Sequence, residues 1–205
     1  VSASDGISDI SGSFDIVVQK DHAGVVIDGP LANARVFVDV DGDDMWDEGE
    51  DFVFTDSNAQ FEMLSSQQGD LVVTTGEETV DTLSGVVVAG LTLKAPDGAA
   101  VITPATTLLK SLLDSGMTVE QAQVVLNHTL DLPDVDLMTY NPMTDSNALQ
   151  AAEYLNANAK IVGTLKALST LVVAHTNDSS GVTEQGVFNF ALNQLAQEIA
   201  SSTTF

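Results

Sequence analysis

Apolar residues in the first half of the chain occur in short runs separated by turn-forming residues. The runs are rich in valine, threonine and phenylalanine, and turns such as Asp28-Gly29-Pro30 lie between them. Short β-branched and aromatic runs of this kind predict strands rather than helices. We expect strands over residues 14–19, 25–27, 31–40, 52–54, 60–64, 71–75 and 85–94, with 52–54 and 60–64 forming a hairpin.

The apolar spacing changes to that of helices at Thr103-Pro104. Threonine is a good N-cap, and proline fits the first helical position. Thr118 and Gln121 have the spacing of a capping box and predict a second helix. A third helix is expected over residues 146–175. The apolar stripe of the fourth helix consists of Phe188, Leu192, Leu195 and Ile199. The pattern predicts an α+β fold, an N-terminal β-sandwich-like lobe followed by a C-terminal lobe of about four helices.

Charge limits the partners that this chain can have. Six basic residues against thirty acidic ones give a formal net charge of −24. Such a surface repels nucleic acid and anionic membranes, so we expect neither nucleic-acid binding nor membrane insertion. Lys160 and Lys166 also argue against a membrane span in the third helix. The chain has no cysteine, so disulfides do not contribute to its stability.

Residues 39–51 contain eight carboxylates and no base, between two apolar runs. If Asp39 is position 1, the carboxylates at positions 1, 3, 5, 9 and 12 match a twelve-residue calcium loop, and a main-chain carbonyl usually serves at position 7. Asp44 stands at position 6, where glycine is usual. The alternative is a solvated acidic loop. The expected Ca²⁺ ligands are Asp39, Asp41, Asp43, Asp47, Glu50 and the carbonyl of Met45.

A second acidic group, Asp131, Asp134 and Asp136, lies in the irregular stretch after the second helix. Alternate spacing can direct Asp134 and Asp136 at one ion. The group lacks a full ligand template, so a solvated connector in which Asp131 caps a turn is the alternative.

We do not expect an enzyme. The histidines, His22, His128 and His175, fall in separate segments, and there is no glycine-rich phosphate loop. A hydrolase is kept as an alternative hypothesis, and it requires a carboxyl group with a raised pKa in a cleft.

Five stretches carry a resemblance to known proteins. Residues 31–39, the acidic loop and residues 55–61 resemble the calcium-binding B-type β-sandwich repeats of bacterial surface adhesins, although Ala59 stands where glycine is usual. Residues 93–99 and 101–108 resemble a β-plus-helical module of very large secreted bacterial proteins. The whole chain looks most like the peptide-binding domain of giant RTX adhesins of Gram-negative bacteria.

The resemblance implies a calcium-dependent adhesin module that binds the free C-terminal end of a peptide or protein on a target surface. It also implies an extracellular, cell-surface-attached location after type I secretion, within a longer multidomain chain active in biofilms. The alternative is a calcium-stiffened spacer without a ligand of its own. We expect a linker over residues 1–13, a β-rich calcium-binding lobe over 14–103 and a helical lobe over 104–205 packed on it.

The expected ligand pocket lies at the junction of these lobes, because a helical half packed on a sandwich creates a cleft. A ligand carboxylate there needs a cation, and the candidates are Arg35, a lysine, a helix N-terminus or bound Ca²⁺. The candidate pocket residues are Thr75, Gly76 and Glu77 after a strand, Tyr140 and Asn141 in the irregular connection, and Tyr154 in the third helix.

Overall fold

A computed structural model describes residues 2–4, 9–11, 19–175 and 182–202. Residues 2–4 and 9–11 form an antiparallel pair within the stretch expected to be a linker. The strand expected over 14–19 lies, except for residue 19, outside the described residues. The strands are β1 (Ser2–Ser4), β2 (Asp9–Ser11), β3 (Lys20–Val26), β4 (Leu31–Ala32), β5 (Arg35–Asp39), β6 (Phe52–Phe54), β7 (Gln60–Ser65), β8 (Asp70–Thr74), β9 (Val80–Asp81), β10 (Thr92–Ala95) and β11 (Val101–Ile102).

A four-stranded antiparallel sheet in the order β10-β8-β5-β6 carries the acidic loop, which joins β5 to β6. β5 is an interior strand of this sheet, and Val36, Phe37 and Val38 in its centre are completely buried. A strand that is buried on both faces is expected to be continuously apolar. The loop therefore begins at the end of one of the most protected strands of the described structure.

A three-stranded sheet places β3 between β7, which is antiparallel to it, and β11, which is parallel. β4 and β9 form a separate two-stranded sheet. The expected hairpin of residues 52–54 and 60–64 is wrong, because β6 and β7 belong to different sheets. The Thr55 side chain gives the reason. Its hydroxyl accepts from the Ala34 amide at 2.9 Å and donates to the Leu31 carbonyl at 2.6 Å, which fixes the corner where the chain changes sheets.

Two expected strands are shorter than the apolar pattern indicated. Residues 31–40 are interrupted at Asn33, which takes a φ of 59°. In residues 85–94 only the part from Thr92 pairs within a sheet, whereas Val86 and Val87 are 60% and 52% exposed. Apolar composition alone does not determine burial. Here the β-branched residues lie in an exposed surface segment and not in a core strand.

The helices are α1 (Pro104–Asp114), α2 (Val119–Thr129), α3 (Ala148–His175) and α4 (Glu184–Ser202). Both expected N-termini are confirmed. The Thr103 hydroxyl accepts from the Thr106 amide at 3.1 Å, and the Thr118 hydroxyl accepts from the Gln121 amide at 3.3 Å. In each helix the third residue returns a hydrogen bond to the cap, so both are capping boxes.

One hydrophobic cluster joins the sheets to the helices. It contains Val36 and Leu93 from the strands together with Leu108, Leu126 and Phe188 from the helices. Helix α1 packs against β10, where the Thr106 hydroxyl donates to the Lys94 carbonyl at 2.8 Å and the Thr107 hydroxyl accepts from the Lys94 amide at 2.9 Å. These side chains satisfy backbone groups of an edge strand. The α+β class, with a C-terminal helical region, is confirmed.

By length and composition alone, helix α3 could cross a membrane. In its most apolar 18-residue stretch, 33% of the residues are buried. In this structure it packs against α4 and α1. The side chain of Asn158, in the middle of α3, accepts from the Ala105 amide at 2.8 Å at the start of α1. The absence of membrane insertion stays a prediction.

Candidate functional site

Three aspartates of the acidic loop converge. Carboxylate oxygens of Asp39, Asp41 and Asp43 all lie within 4.8 Å of one another. Asp39 is 5% exposed, whereas Asp41 and Asp43 are exposed. A hard divalent cation prefers several carboxylate oxygens at close quarters, and it removes the repulsion among them. This group can hold a metal ion, and it consists of three of the five carboxylates that the sequence pattern selected.

Backbone amides hold the three carboxylates in place. The two oxygens of Asp39 accept from the Gly42 amide at 2.8 Å and from the Asp44 amide at 3.1 Å. Asp41 accepts from the Asp43 amide at 3.3 Å, and Asp43 accepts from the Met45 amide at 2.8 Å. The loop therefore winds around its own carboxylates, with Asp39, at the end of β5, as the buried anchor.

Asp44, at position 6 of the loop, adopts the backbone conformation that the template requires there. Its φ is 66°, in the left-handed region that glycine usually supplies and that aspartate tolerates better than most residues. Its carboxylate is not aimed at the other three but pairs with Lys94 Nζ at 2.5 Å. The same Lys94 is bound through its backbone to α1, so Asp44 ties the loop to the helical half of the molecule.

The remaining expected ligands lie around the second half of the loop. Glu50 is not part of the three-aspartate group. Its two carboxylate oxygens accept from the Val40 amide at 2.8 Å and from the Asp47 amide at 3.1 Å, which ties the two ends of the loop together. Asp47 is also outside the group, and the Met45 side chain is 64% exposed. Whether Asp47, Glu50 and the Met45 carbonyl complete a metal shell stays a prediction.

The structure does not bring the second acidic group together. Within the described residues, Asp131, Asp134 and Asp136 form no cluster that can share an ion, and all three are exposed. Asp136 instead accepts from the Met138 amide at 2.9 Å and from the Thr139 hydroxyl at 3.1 Å. Asp136 therefore caps the turn that follows it, whereas a turn cap at Asp131 stays a prediction. Asp131 has a φ of 52°.

A cavity of about 270 Å³ lies beside β5 and the segment that follows β8. It is lined by the three candidate pocket residues that follow β8 and by Arg35 of β5. Its lining is Asn33, Arg35, Phe54, Thr74, Thr75, Gly76, Glu77, Glu78 and Thr79. An added Cβ on Gly76 would meet nothing within 4 Å, so this residue faces open space. The cavity combines one fixed cation with hydroxyl groups and two carboxylates.

Arg35 is held in this cavity by aromatic rings. Its guanidinium carbon lies 4.7 Å from the ring centre of Trp46, 5.3 Å from that of Phe52 and 5.5 Å from that of Phe54. Contacts of this kind attract a cation to the ring faces. Trp46 belongs to the acidic loop, and its indole nitrogen donates to the Glu50 carbonyl at 3.2 Å. The aromatic cage of Arg35 is thus built partly from the candidate metal loop.

A second cavity, of about 580 Å³, shares the Phe54 side chain with the first. It lies between β3, β7 and the irregular connection, and Asn141 and Thr139 contribute to it. The candidate residues after β8 and Asn141 therefore line two adjoining cavities and not one. The smaller cavity is lined only by residues of the expected β-rich lobe, so its predicted position at the junction with the helical lobe is wrong. A larger cavity of about 730 Å³ between α3 and α4 is almost wholly apolar and has no charged residue in its lining.

The two candidate tyrosines have structural roles. Tyr154 is completely buried, and its hydroxyl lies 3.2 Å from the Thr103 hydroxyl at the start of α1, so its ring offers no face to a ligand. Tyr140 stacks edge-to-face on it with a centroid distance of 5.0 Å and donates to Asp145 at 2.7 Å. Burial and the bond to Asp145 raise the pKa of Tyr140. Neither tyrosine lines either of the two adjoining cavities.

Sequence reasoning named Arg35 only as one of several possible cations, and it missed Trp46 and Phe54. The available signal was the alternation Phe52-Val53-Phe54, which places two aromatic rings on one face of β6. The register that pairs Arg35 with Phe54 follows from tertiary structure. No protein-family model, curated protein or solved structure matches this chain.

Proposed function

We propose that this chain is a calcium-dependent binding module of a large secreted bacterial adhesin, and that it captures the free C-terminal end of a peptide or protein on a target surface. The observation that carries the metal part is the convergence of Asp39, Asp41 and Asp43 within 4.8 Å. The ligand part rests on the sequence resemblance and is supported by the two cavities that Phe54 lines in common. Ca²⁺ is the metal because the cluster offers hard oxygen ligands in a loop of matching spacing.

A binding role is favoured over the spacer role by the two cavities that meet at Phe54. A spacer needs only a stiff fold, whereas a lined cavity with a cation has the composition of a ligand site. Short peptides suit cavities of about 270 and 580 Å³. The extracellular location and the longer parent chain belong to the same proposal.

Hydrolase activity is not favoured by the Asp56 carboxyl group, which lines the larger of these cavities. A catalytic acid needs a raised pKa. The Asp56 carboxylate accepts from the backbone amides of Gln60 and Asn58, and these bonds lower its pKa. Among the described residues, burial raises the pKa of the Asp28 carboxyl group, and Asp28 does not line either adjoining cavity.

Calorimetric titration with calcium tests the metal part. Asp41→Asn is the sharpest variant, because Asp41 is exposed and the amide keeps an oxygen for the Asp43 amide while it removes the charge. Asp21→Asn, an exposed aspartate in β3, is the matched control. We expect calcium binding to weaken in Asp41→Asn and to stay unchanged in Asp21→Asn. Equal binding by all three proteins would remove the loop as the metal site.

Titration with a panel of short peptides tests the ligand part. We expect micromolar affinity, about −8 kcal/mol, for free-ended peptides in calcium. Amidation of the C-terminus removes the ligand charge and should weaken binding. Absence of binding across a varied panel would favour the spacer function.

A further inference from the structure

The carboxylate of a bound peptide needs a cation, and the candidate calcium cluster does not line either cavity. Neither lining includes Asp39, Asp41 or Asp43. The smaller cavity has a different cation, Arg35. We propose that Arg35 binds the C-terminal carboxylate of the peptide and that the calcium loop acts on this site through Trp46. This inference rests on the proposed function and names the atoms that recognise its ligand.

The pairing state of Arg35 sets it apart from most other bases. Lys20, Lys94 and Lys110 each lie within 4.0 Å of a carboxylate oxygen. Among the described residues no carboxylate comes that close to Arg35, although the chain has thirty acidic residues. Arg35 Nε is also buried and has no hydrogen-bond partner. A buried donor without a partner costs free energy, and a ligand carboxylate at the guanidinium has no existing ion pair of Arg35 to displace.

The geometry of guanidinium favours a carboxylate over other acceptors. Its planar arrangement of N–H donors matches the two oxygens of a carboxylate, and such charge-assisted bonds are stronger than neutral ones. The aromatic rings of Trp46, Phe52 and Phe54 fix the plane of this group. Arg35 is therefore held in position before a ligand arrives, which reduces the entropy lost on binding.

Glu77 and Glu78 line the same cavity and give it a second property. They repel a ligand that is purely anionic, and they attract a positive charge next to its carboxylate. The cavity therefore suits a peptide end in which a lysine or arginine accompanies the terminal carboxylate. A peptide with glutamate at the same position is disfavoured by like charge.

Trp46 links this cavity to the metal loop. It stands between Met45 and Asp47 in the sequence and contacts the Arg35 guanidinium. A metal that orders residues 39–50 also fixes the indole, and removal of the metal loosens one wall of the cage. Because Trp46 is the only tryptophan in the chain, its fluorescence reports both metal binding and occupation of the cavity.

Two variants test the site from independent directions. Arg35→Met removes the charge and keeps an apolar chain against the rings. Gly76→Leu leaves Arg35 untouched and fills the cavity, since its Cβ meets nothing within 4 Å and its φ is not in the left-handed region. The matched control is Gly163→Leu, an exposed glycine of α3 that is equally open. Circular dichroism and calcium calorimetry verify that each variant is folded and binds metal.

Each protein is titrated in calcium with one peptide that ends in lysine, in free and amidated forms, and Trp46 fluorescence is recorded. In the wild type and in Gly163→Leu we expect the free end to bind at least tenfold more tightly. In Arg35→Met this preference should disappear, and in Gly76→Leu binding of the free form should fall at least tenfold. Replacement of the lysine by glutamate should weaken binding to the wild type.

The outcomes separate this inference from the proposed function. If the wild type prefers the free end and folded Arg35→Met keeps that preference, Arg35 is not the carboxylate site, while end capture stands. The same conclusion follows if Gly76→Leu binds like the wild type, which keeps the test decisive even when Arg35→Met does not fold. If the wild type binds both forms equally or neither, end capture itself is overturned.

Discussion

Calcium removal should lower the thermal stability of the whole molecule and not only that of the loop. The loop leaves β5, an interior strand whose Val36, Phe37 and Val38 are completely buried. The middle of the loop is tied to β10 through the pair of Asp44 with Lys94 at 2.5 Å. The backbone of Lys94 is in turn hydrogen-bonded to Thr106 and Thr107 of α1. A ligand that binds only the folded loop therefore stabilises the cooperative unit that contains the core.

The magnitude follows from linkage. At a free calcium concentration one hundred times Kd, binding to the folded state alone contributes about 2.7 kcal/mol. For a chain of this length, 1 kcal/mol shifts the melting temperature by about 2–4 °C. We therefore expect a fall of about 5–11 °C when calcium is replaced by EGTA, measured by calorimetry or by circular dichroism.

Asp41→Asn separates a metal effect from general damage to the fold. Removal of one of three adjacent charges relieves repulsion when no metal is present. The variant should therefore lose most of the calcium-dependent shift, and in EGTA it should melt at or above the temperature of the wild type. Asp21→Asn should behave like the wild type in both conditions. An identical wild-type melting temperature in calcium and in EGTA would refute the reasoning.

Two further predictions concern the fold around the site. Thr103→Ala should destabilise the protein by about 1–2 kcal/mol in urea unfolding, because it removes the N-cap of α1 and the partner of the Tyr154 hydroxyl, whereas Thr103→Ser should be nearly neutral; equal losses in the two variants would contradict the capping role. Burial raises the pKa of Asp28 above its ordinary 3.8, so the folded state binds the proton more tightly and the ionised carboxylate opposes folding at neutral pH. Asp28→Asn should therefore raise the melting temperature relative to the wild type at pH 7, and this advantage should shrink as pH falls through the raised pKa and vanish below 3.8; an advantage that does not change with pH would contradict this origin.

The sequence by itself determined the local elements whose signals lie within a few residues. The Thr103-Pro104 and Thr118–Gln121 patterns predicted two helix starts, because a cap and its acceptor are three residues apart and need no distant partner. The spacing of Asp39, Asp41 and Asp43 likewise indicated a carboxylate cluster, since a tight loop brings alternate side chains to one side. The sequence indicated a departure from the template at position 6, but Asp44 adopts the left-handed backbone conformation that glycine usually has there.

Tertiary structure decided everything that depends on which distant segments meet. The apolar pattern of residues 85–91 predicted a strand, but these residues pair with another strand only through a single bridge at Val87. Tyr154 was predicted as a possible ligand contact, but the packing of α3 places its side chain in the core, beside Thr103. Arg35 acquired its aromatic cage only because β5 pairs with β6 while the loop folds Trp46 back over it. Spacing along the chain fixes neighbours within a turn, whereas sheet register and helix packing bring together residues tens of positions apart.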